Sequence, residues 1–480
     1  MGKYMPRTRH QDLRDFMKIL EERNELRVVE NADPELEIGI LTMMVGRRKH
    51  HPSLLFDAIK GYRKGFRIIT NLITTEARNR LAAGIEPELE VDNMVEFLAG
   101  LLKEYQPVKP TMVSDGPVMS SKMVGDRVDL GIFPSPLWHE FDGGRYIGTG
   151  TVVLMKDPEN GFINLGTYRI QLHDKKTLGI SISPGHHGGI IRDKYWERGL
   201  SCPVVISFGH DPTLGVAADL PASYGESELD YAGWLRGRPV EVIEGPLTGL
   251  PIPSTSELVV EGEIPPLQVE SRVEGPFGEF GGYYSVEERP QPVVRVKAVY
   301  FREDPVIDGR PPYRGVRHDG PLPFNLAFLL KTLRDLGYHD VRKIGRVGAF
   351  LVVSLKVRYA GQVRQVADLV MSGIGMRPPK YLMMVDEDID PDNFEDVMWA
   401  FQSRVDPEDS IHLVRNRWTS LTDPRVPPEK KAVWDITSSS LIIDATRPWG
   451  WRDKFPKPTE PSKNTLNKYY VKWKSFLDSL

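Results

Sequence analysis

The chain has one cysteine, Cys202, in 480 residues. That excludes an internal disulfide framework and any multi-thiolate metal site. An excess of either charge is also missing, because Lys+Arg 62 against Asp+Glu 66 leaves a net charge of −4. A near-neutral chain has no global electrostatic pull toward nucleic acid or an anionic membrane. No apolar run approaches the roughly 18 residues that a membrane helix needs. Met1-Gly2-Lys3-Tyr4-Met5-Pro6 has no apolar run after its basic residue, so no signal peptide is expected, and Pro6 argues against myristoylation of Gly2. The expected location is cytoplasmic. The P-loop pattern, the G-x-S-x-G elbow and H-E-x-x-H are absent. His139-Glu140 has no second histidine, and Gly148-Thr149-Gly150 lacks the third glycine of a dinucleotide fingerprint.

What is present is a globular balance of 40% hydrophobic and 27% charged residues. Gly 43 and Pro 39 imply many turns and short strands. The length suggests about three units. Residues 1–124 read as an α/β region. Leu13, Phe16, Met17 and Leu20 recur at helical spacing, and Asp33-Pro34 predicts a helix start with Asp33 as N-cap. Residues 125–320 alternate strand-like runs with turn clusters. The runs are Tyr146 to Lys156, Phe162 to Leu172, Thr177 to Ile182, Val204 to Phe208, Leu258 to Glu263 and Val293 to Tyr300, which predict an antiparallel sheet or a barrel. Residues 321–455 return to a βαβ rhythm. Residues 456–480 hold Pro456, Pro458 and Pro461, then a helix with Leu466, Tyr469, Tyr470, Trp473, Leu477 and Leu480 on one face. That stripe is expected to dock on its own chain or on a second subunit.

Three segments concentrate chemistry. In Asn164-Leu165-Gly166-Thr167-Tyr168-Arg169 the polar ends are five residues apart, so a regular strand puts them on opposite faces. A bulge at Gly166 would bring them together. Ser183-Pro184-Gly185-His186-His187-Gly188-Gly189 offers two adjacent histidines, of which an extended chain sends only one into a given site. A helix from Ile190 to Glu197 is expected to follow, with an N-terminus that favours phosphate. Glu274-Gly275-Pro276-Phe277-Gly278-Glu279 frames a tight turn with two carboxylates. Near an arginine, one would stay ionised while the other serves as an acid.

In order and spacing these segments resemble the UbiD-type decarboxylase family. The resemblance runs over about residues 10–450 and includes Val385-Asp386-Glu387-Asp388-Ile389-Asp390. It implies a multi-domain α+β and α/β fold: an N-terminal α/β region, a central split β-barrel flavin-binding domain and a C-terminal α/β domain with a terminal helix. The implied activity is reversible decarboxylation of aromatic, heteroaromatic or α,β-unsaturated carboxylic acids with prenylated FMN, releasing CO2. An aromatic or heteroaromatic acid is favoured, with Trp418 a candidate to stack on it. A flavin prenyltransferase would supply the cofactor. The implied metal is Mn2+ or Mg2+, with K+ nearby.

By motif position the metal ligands fall on Asn164, His187 and Glu228, the last chosen over Glu226 by the pattern E-x-x-Y-A-G. Gly166, Thr167, Tyr168, Arg169, His186 and Lys380 are implied to contact the cofactor. The catalytic group maps to Arg169, Glu274 and Glu279. Arg169 would bind the substrate carboxylate, Glu274 would orient Arg169, and Glu279 would protonate the carbon. A homodimer or homohexamer is implied. The competing reading is a non-catalytic flavin- or metal-binding subunit that needs a partner.

Overall fold

The computed structural model describes residues 4–314, 322–374, 377–459 and 461–479. They form two compact units. The larger takes residues 1–337, 373–378 and 415–439, and the smaller takes 338–372, 379–414 and 440–480.

The larger unit begins with the expected helix, Leu13–Glu22. Its Leu13, Phe16, Met17 and Leu20 are all buried, and Asp12 caps it by accepting from the Asp15 N–H at 2.9 Å. The second helix is displaced from its expected start. Asp33 does not cap it; its carboxylate closes a local turn on the Glu35 N–H at 2.9 Å. Glu35 then bridges to Leu137, and the helix runs Glu37–Gly46 behind Leu36. A four-stranded sheet follows, in the order Leu26–Glu30, Ser53–Asp57, Arg67–Thr70, Val306–Gly309.

The strand-rich middle forms a ten-stranded curled sheet, a half-barrel. Its spine is the 13-residue strand Arg289–Phe301, which pairs with four others. A register shift at Glu261/Gly262 bends the pairing with Leu258–Ile264. A Cβ on Gly262 would lie 2.5 Å from the Arg295 carbonyl oxygen, so glycine lets the strands approach there. One hydrophobic core joins this sheet to the four-stranded one. It contains Phe66, Phe133, Trp138, Tyr146, Tyr168, Phe208 and Phe277.

Two expected strands are each split in two. Tyr146 to Lys156 becomes Tyr146–Gly148 and Thr151–Lys156. Phe162 to Leu172 becomes Ile163–Gly166 and Arg169–Leu172. The halves of the second pair with different partners, Thr151–Lys156 and Thr177–Ser181 respectively. The curl is made here, where the chain leaves one strand and enters another.

The smaller unit carries the βαβ rhythm. Phe350–Leu355, Tyr381–Asp386 and Thr437–Ala445 pair in parallel, with helices Gln362–Ser372 and Phe394–Arg404 between them in sequence. Buried Arg404 holds Asp386 at 3.0 Å and Asp388 at 2.8 Å. The terminal helix is Lys463–Leu477, with Leu466, Tyr469, Tyr470, Trp473 and Leu477 exposed; Leu480 lies outside the described residues. Among the described residues, no helix is long and apolar enough to cross a membrane.

Candidate active site

The split at Thr167 and Tyr168 corrects the expected bulge at Gly166. Asn164 and Arg169 are not drawn onto one face. They sit on separate strands and found two separate clusters.

The first cluster gathers Asn164, His187 and Glu228. Glu228 opens the helix Glu228–Arg236, and His187 opens the helix His187–Trp196, three residues earlier than expected. Both helix N-termini offer positive potential to an anion. The buried Glu228 carboxylate accepts from Asn164 Nδ2 at 3.1 and 3.2 Å and from the Leu165 main-chain N–H at 2.8 Å. His187 Nδ1 lies 3.7 Å from it. Among the described residues, buried Asn164 Oδ1 has no hydrogen-bond partner. An orphaned amide oxygen, an imidazole nitrogen and a buried carboxylate make a donor set that suits a divalent cation. Among the described residues no trio of His, Cys, Asp and Glu alone does so, because the third donor here is an amide.

Tyr168 packs between Gly166 and Gly188 of the glycine-rich loop. A Cβ at Gly166 or Gly188 would approach its hydroxyl to 2.7 and 2.6 Å, so both positions must stay bare. Its hydroxyl accepts from the Gly188 N–H at 3.3 Å. The Tyr168 and His186 rings lie 6.1 Å apart. Burial pushes the His186 ring below its ordinary value, and the nearby Arg377 guanidinium, 3.5 Å away, adds to this. Thr167 turns elsewhere and donates to Asp219 at 3.1 Å. Lys380 belongs to the smaller unit, just before Tyr381–Asp386, where its carbonyl accepts from the Leu441 N–H at 2.9 Å.

The second cluster brings together Arg169, Glu274 and Glu279. Arg169 donates through Nε to Glu274 Oε1 at 2.7 Å and through Nη2 to Glu274 Oε2 at 2.9 Å. Its Nη1 reaches Glu279. The guanidinium lies 5.5 Å from the centre of the Phe277 ring. Tyr146 completes the group, donating to Glu274 Oε1 at 2.8 Å. The sequence reading missed Tyr146, and only the pairing of Tyr146–Gly148 with Arg169–Leu172 brings it here.

The two carboxylates are buried almost equally, yet they are driven apart. Burial pushes Glu274 upward, but Arg169 and the Tyr146 hydroxyl outweigh it and hold Glu274 below the usual carboxylate range. Burial also pushes Glu279 upward. The charges of Glu274 and Asp142 add to that, and together they overcome its Arg169 contact, so Glu279 is raised. Arg169 stays cationic, because its two carboxylates outweigh its burial. The cluster is thus an ion pair beside a second carboxyl group whose surroundings favour its protonated form.

The larger unit thus holds two polar clusters: a buried arginine between two carboxylates of opposite tendency, and an amide, imidazole and carboxylate gathered at two helix N-termini. Comparison with known proteins gives the class. The chain matches the 3-octaprenyl-4-hydroxybenzoate carboxy-lyase N-terminal domain over residues 17–98. It matches the Rift-related domain of that family over 111–313 and the C-terminal domain over 327–445. It is 33% identical over 456 residues to a phenolic acid decarboxylase of Streptomyces sp. (strain D7), covering 92% of each chain. It is 32% identical over 426 residues to the pyrrole-2-carboxylic acid decarboxylase of Pseudomonas aeruginosa, covering 82% of this chain and 83% of that one.

Among solved structures, it is similar to the closed form of vanillic acid decarboxylase from Sedimentibacter hydroxybenzoicus. The TM-score is 0.84 at 28% identity, covering 98% of this chain and 99% of that one. It is also similar to the UbiD-class enzyme HmfF from Pelotomaculum thermopropionicum in complex with FMN, with TM-score 0.78 at 27% identity, covering 96% and 100%. An evolved dimeric form of that enzyme in complex with prFMN gives 0.75 at 26%, covering 95% and 98%. The chain belongs to the UbiD family of carboxy-lyases.

Proposed function

We propose that the protein is a reversible, non-oxidative decarboxylase of an aromatic or heteroaromatic carboxylic acid that uses prenylated FMN. The observation that carries this reading is the opposed pair Glu274 and Glu279 on one buried arginine. The acids named for the relatives, phenolic and pyrrole-2-carboxylic, support the substrate class.

The cofactor, when bound, supplies the electron sink that makes loss of CO2 feasible. The chain's own residues do the rest. Arg169 has five N–H donors, and the two carboxylates take three of them. One remains on each Nη nitrogen, available to a substrate carboxylate. Glu274 fixes the guanidinium and balances its charge. Glu279 holds the proton at its carboxyl oxygen and delivers it to the carbon that CO2 leaves. Asn164, His187 and Glu228 would hold Mn2+ or Mg2+ against the cofactor phosphate, with K+ nearby. Gly166, Thr167, Tyr168 and His186 would line the cofactor. We keep the division at 124, 320 and 455, and a homodimer or homohexamer, as part of this proposal.

The test is production with and without a flavin prenyltransferase, followed by absorbance, mass analysis and CO2 detection across a panel of aromatic and heteroaromatic acids. CO2 release that needs the prenyltransferase supports the reading. No release by cofactor-loaded protein across the panel overturns it.

Two further results are expected. His187→Ala should lose metal and flavin together, because the imidazole is one of only three donors. Full occupancy of both in that variant would remove His187 from the ligand set. The pH dependence of turnover should also have two limbs of opposite origin. Glu279 is raised, so its proton is present at low pH and is lost as pH rises through its folded value. Glu274 is depressed, so its ion pair with Arg169 is complete above the ordinary carboxylate value of about 4.3 and is lost as pH falls through its folded value. A kcat profile without an alkaline limb would count against Glu279 as the proton donor.

A further inference from the structure

A second buried pair is aimed at the turn that carries both glutamates, and the function proposed above leaves it without a role. His139 and Asp142 lie in the loop before Tyr146–Gly148. The Asp142 side chain is fully buried. It accepts from the His139 main-chain N–H at 3.1 Å, from His139 Nδ1 at 3.0 Å and from the Gly278 N–H at 2.9 Å. Gly278 is the residue before Glu279. The Gly143 N–H also donates to the Pro276 carbonyl at 2.7 Å. The loop therefore grips the turn at Pro276 and at Gly278, opposite the grip of Arg169 on its two carboxylates. The fit leaves no spare room: a Cβ at Gly143 would lie 1.8 Å from the Gly275 oxygen, and one at Gly278 would lie 2.8 Å from His139 Nδ1.

The other ring nitrogen of His139 meets the Pro312 carbonyl at 2.5 Å. Both nitrogens therefore face oxygens that accept: a carboxylate on one side and a carbonyl on the other. A neutral imidazole has one N–H, so either tautomer would set a nitrogen lone pair against an oxygen lone pair. Only the imidazolium satisfies both contacts. We propose that His139 is held as an imidazolium by Asp142, and that this ion pair is the positioning device that fixes the Glu279 turn for proton delivery. The proposal rests on the role given to Glu279 above.

The groups facing His139 agree with this. They are Asp142 on its own loop, Glu279 and the Phe277 ring on the turn, the Tyr284 ring at 6.4 Å, and the Pro312 carbonyl. Burial works against the charge, but Asp142 and the Pro312 carbonyl outweigh it and raise the ring above its ordinary value. The consequence for Glu279 follows from charge. With His139 protonated, its charge offsets part of the Asp142 charge that faces the turn. Without that proton, Asp142 is an unbalanced buried anion beside the turn, and the Pro312 bond is lost. A raised histidine keeps its contribution at low pH and loses it as pH rises through its folded value.

The experiment uses the full-length protein labelled with 15N-histidine, with the His139 resonances assigned by their loss in His139→Gln. The expected result is two protonated ring nitrogens at pH 7, titrating above the ordinary value of about 6.5. A single neutral tautomer at pH 7 would overturn the proposal. Asp142→Asn supplies the second arm. An asparagine keeps the volume and can still accept from Gly278, but it carries no charge and gives up the bond from the His139 main-chain N–H. In this variant His139 should be neutral at pH 7. With flavin occupancy and KM unchanged, kcat should fall by about 10²-fold, the scale of a misplaced reacting group. An unchanged kcat, or a fall matched by lost flavin, would reduce the pair to a structural support and overturn the positioning role. The nitrogen shifts need no substrate, so their failure is distinct from a failure to find a decarboxylated acid.

Discussion

Replacing Glu279 by glutamine is expected to leave flavin and metal in place and to lower kcat about 10²- to 10⁴-fold, the usual range for losing a general acid. The amide is nearly isosteric, and its oxygen can still accept from Arg169 Nη1, so the clamp keeps its shape. It has no proton to transfer at a useful rate. The variant also removes the group whose neutral state the site favours: burial, Glu274 and Asp142 all push Glu279 toward its protonated form. A neutral amide therefore suits the site better than a charge would, and an unchanged melting temperature separates lost activity from unfolding. The measurement pairs kcat with flavin occupancy and melting temperature. Turnover near that of the parent would remove Glu279 from the acid role, while lost flavin would show that the residue supports the site rather than the proton transfer.

Much of this site was legible because its residues lie in short segments whose own chemistry is unusual. Two carboxylates around Gly-Pro-Phe-Gly, and two histidines among glycines, stand out without any knowledge of pairing. The clamp itself was readable as residue types and not as geometry. Asn164 and Arg169 share one apparent strand in the sequence, and parity alone called for a bulge to unite them. The chain instead changes strands at Thr167 and Tyr168, because the first half pairs back onto the strand before it and the second pairs forward onto the strand after it, and the residue pattern does not mark where one pairing ends.

The same limit hid Tyr146, which reads as an ordinary apolar strand residue until it is paired beside Arg169. His139 was set aside for want of a second histidine four residues on. Its partners are instead Asp142, three residues on, and the Pro312 carbonyl, 173 residues away. The helix misplaced at Asp33 has a more local cause. An Asp-Pro pair serves equally as a helix cap and as a turn, and the bridge from Glu35 to Leu137 decides for the turn.

The second large effect concerns Arg169 and Glu274 as one unit. The side-on pair, Nε to Oε1 and Nη2 to Oε2, is a two-point contact between planar groups. Lysine keeps the charge but has a single nitrogen, so Arg169→Lys loses the fork toward Glu274 and the N–H groups left for substrate together. Glu274→Gln keeps the shape but strips the counter-charge from a buried guanidinium, and breaking a buried pair on one side typically costs about 3–5 kcal/mol. Each single change should therefore lower kcat/KM severely. Once the clamp is broken from one side, little remains for the second change to remove, so the double variant should be only slightly worse than either single one. In a double-mutant cycle the coupling should be nearly as large as the smaller single effect, at the upper end of the usual range of about 0.5–3 kcal/mol or above it. The readout is kcat/KM for decarboxylation, taken alongside flavin occupancy so that cofactor loss is separated from loss of the clamp. If the two changes simply added, Arg169 would hold the substrate without help from Glu274. The ion pair would then be a neighbour of the site and not its working part.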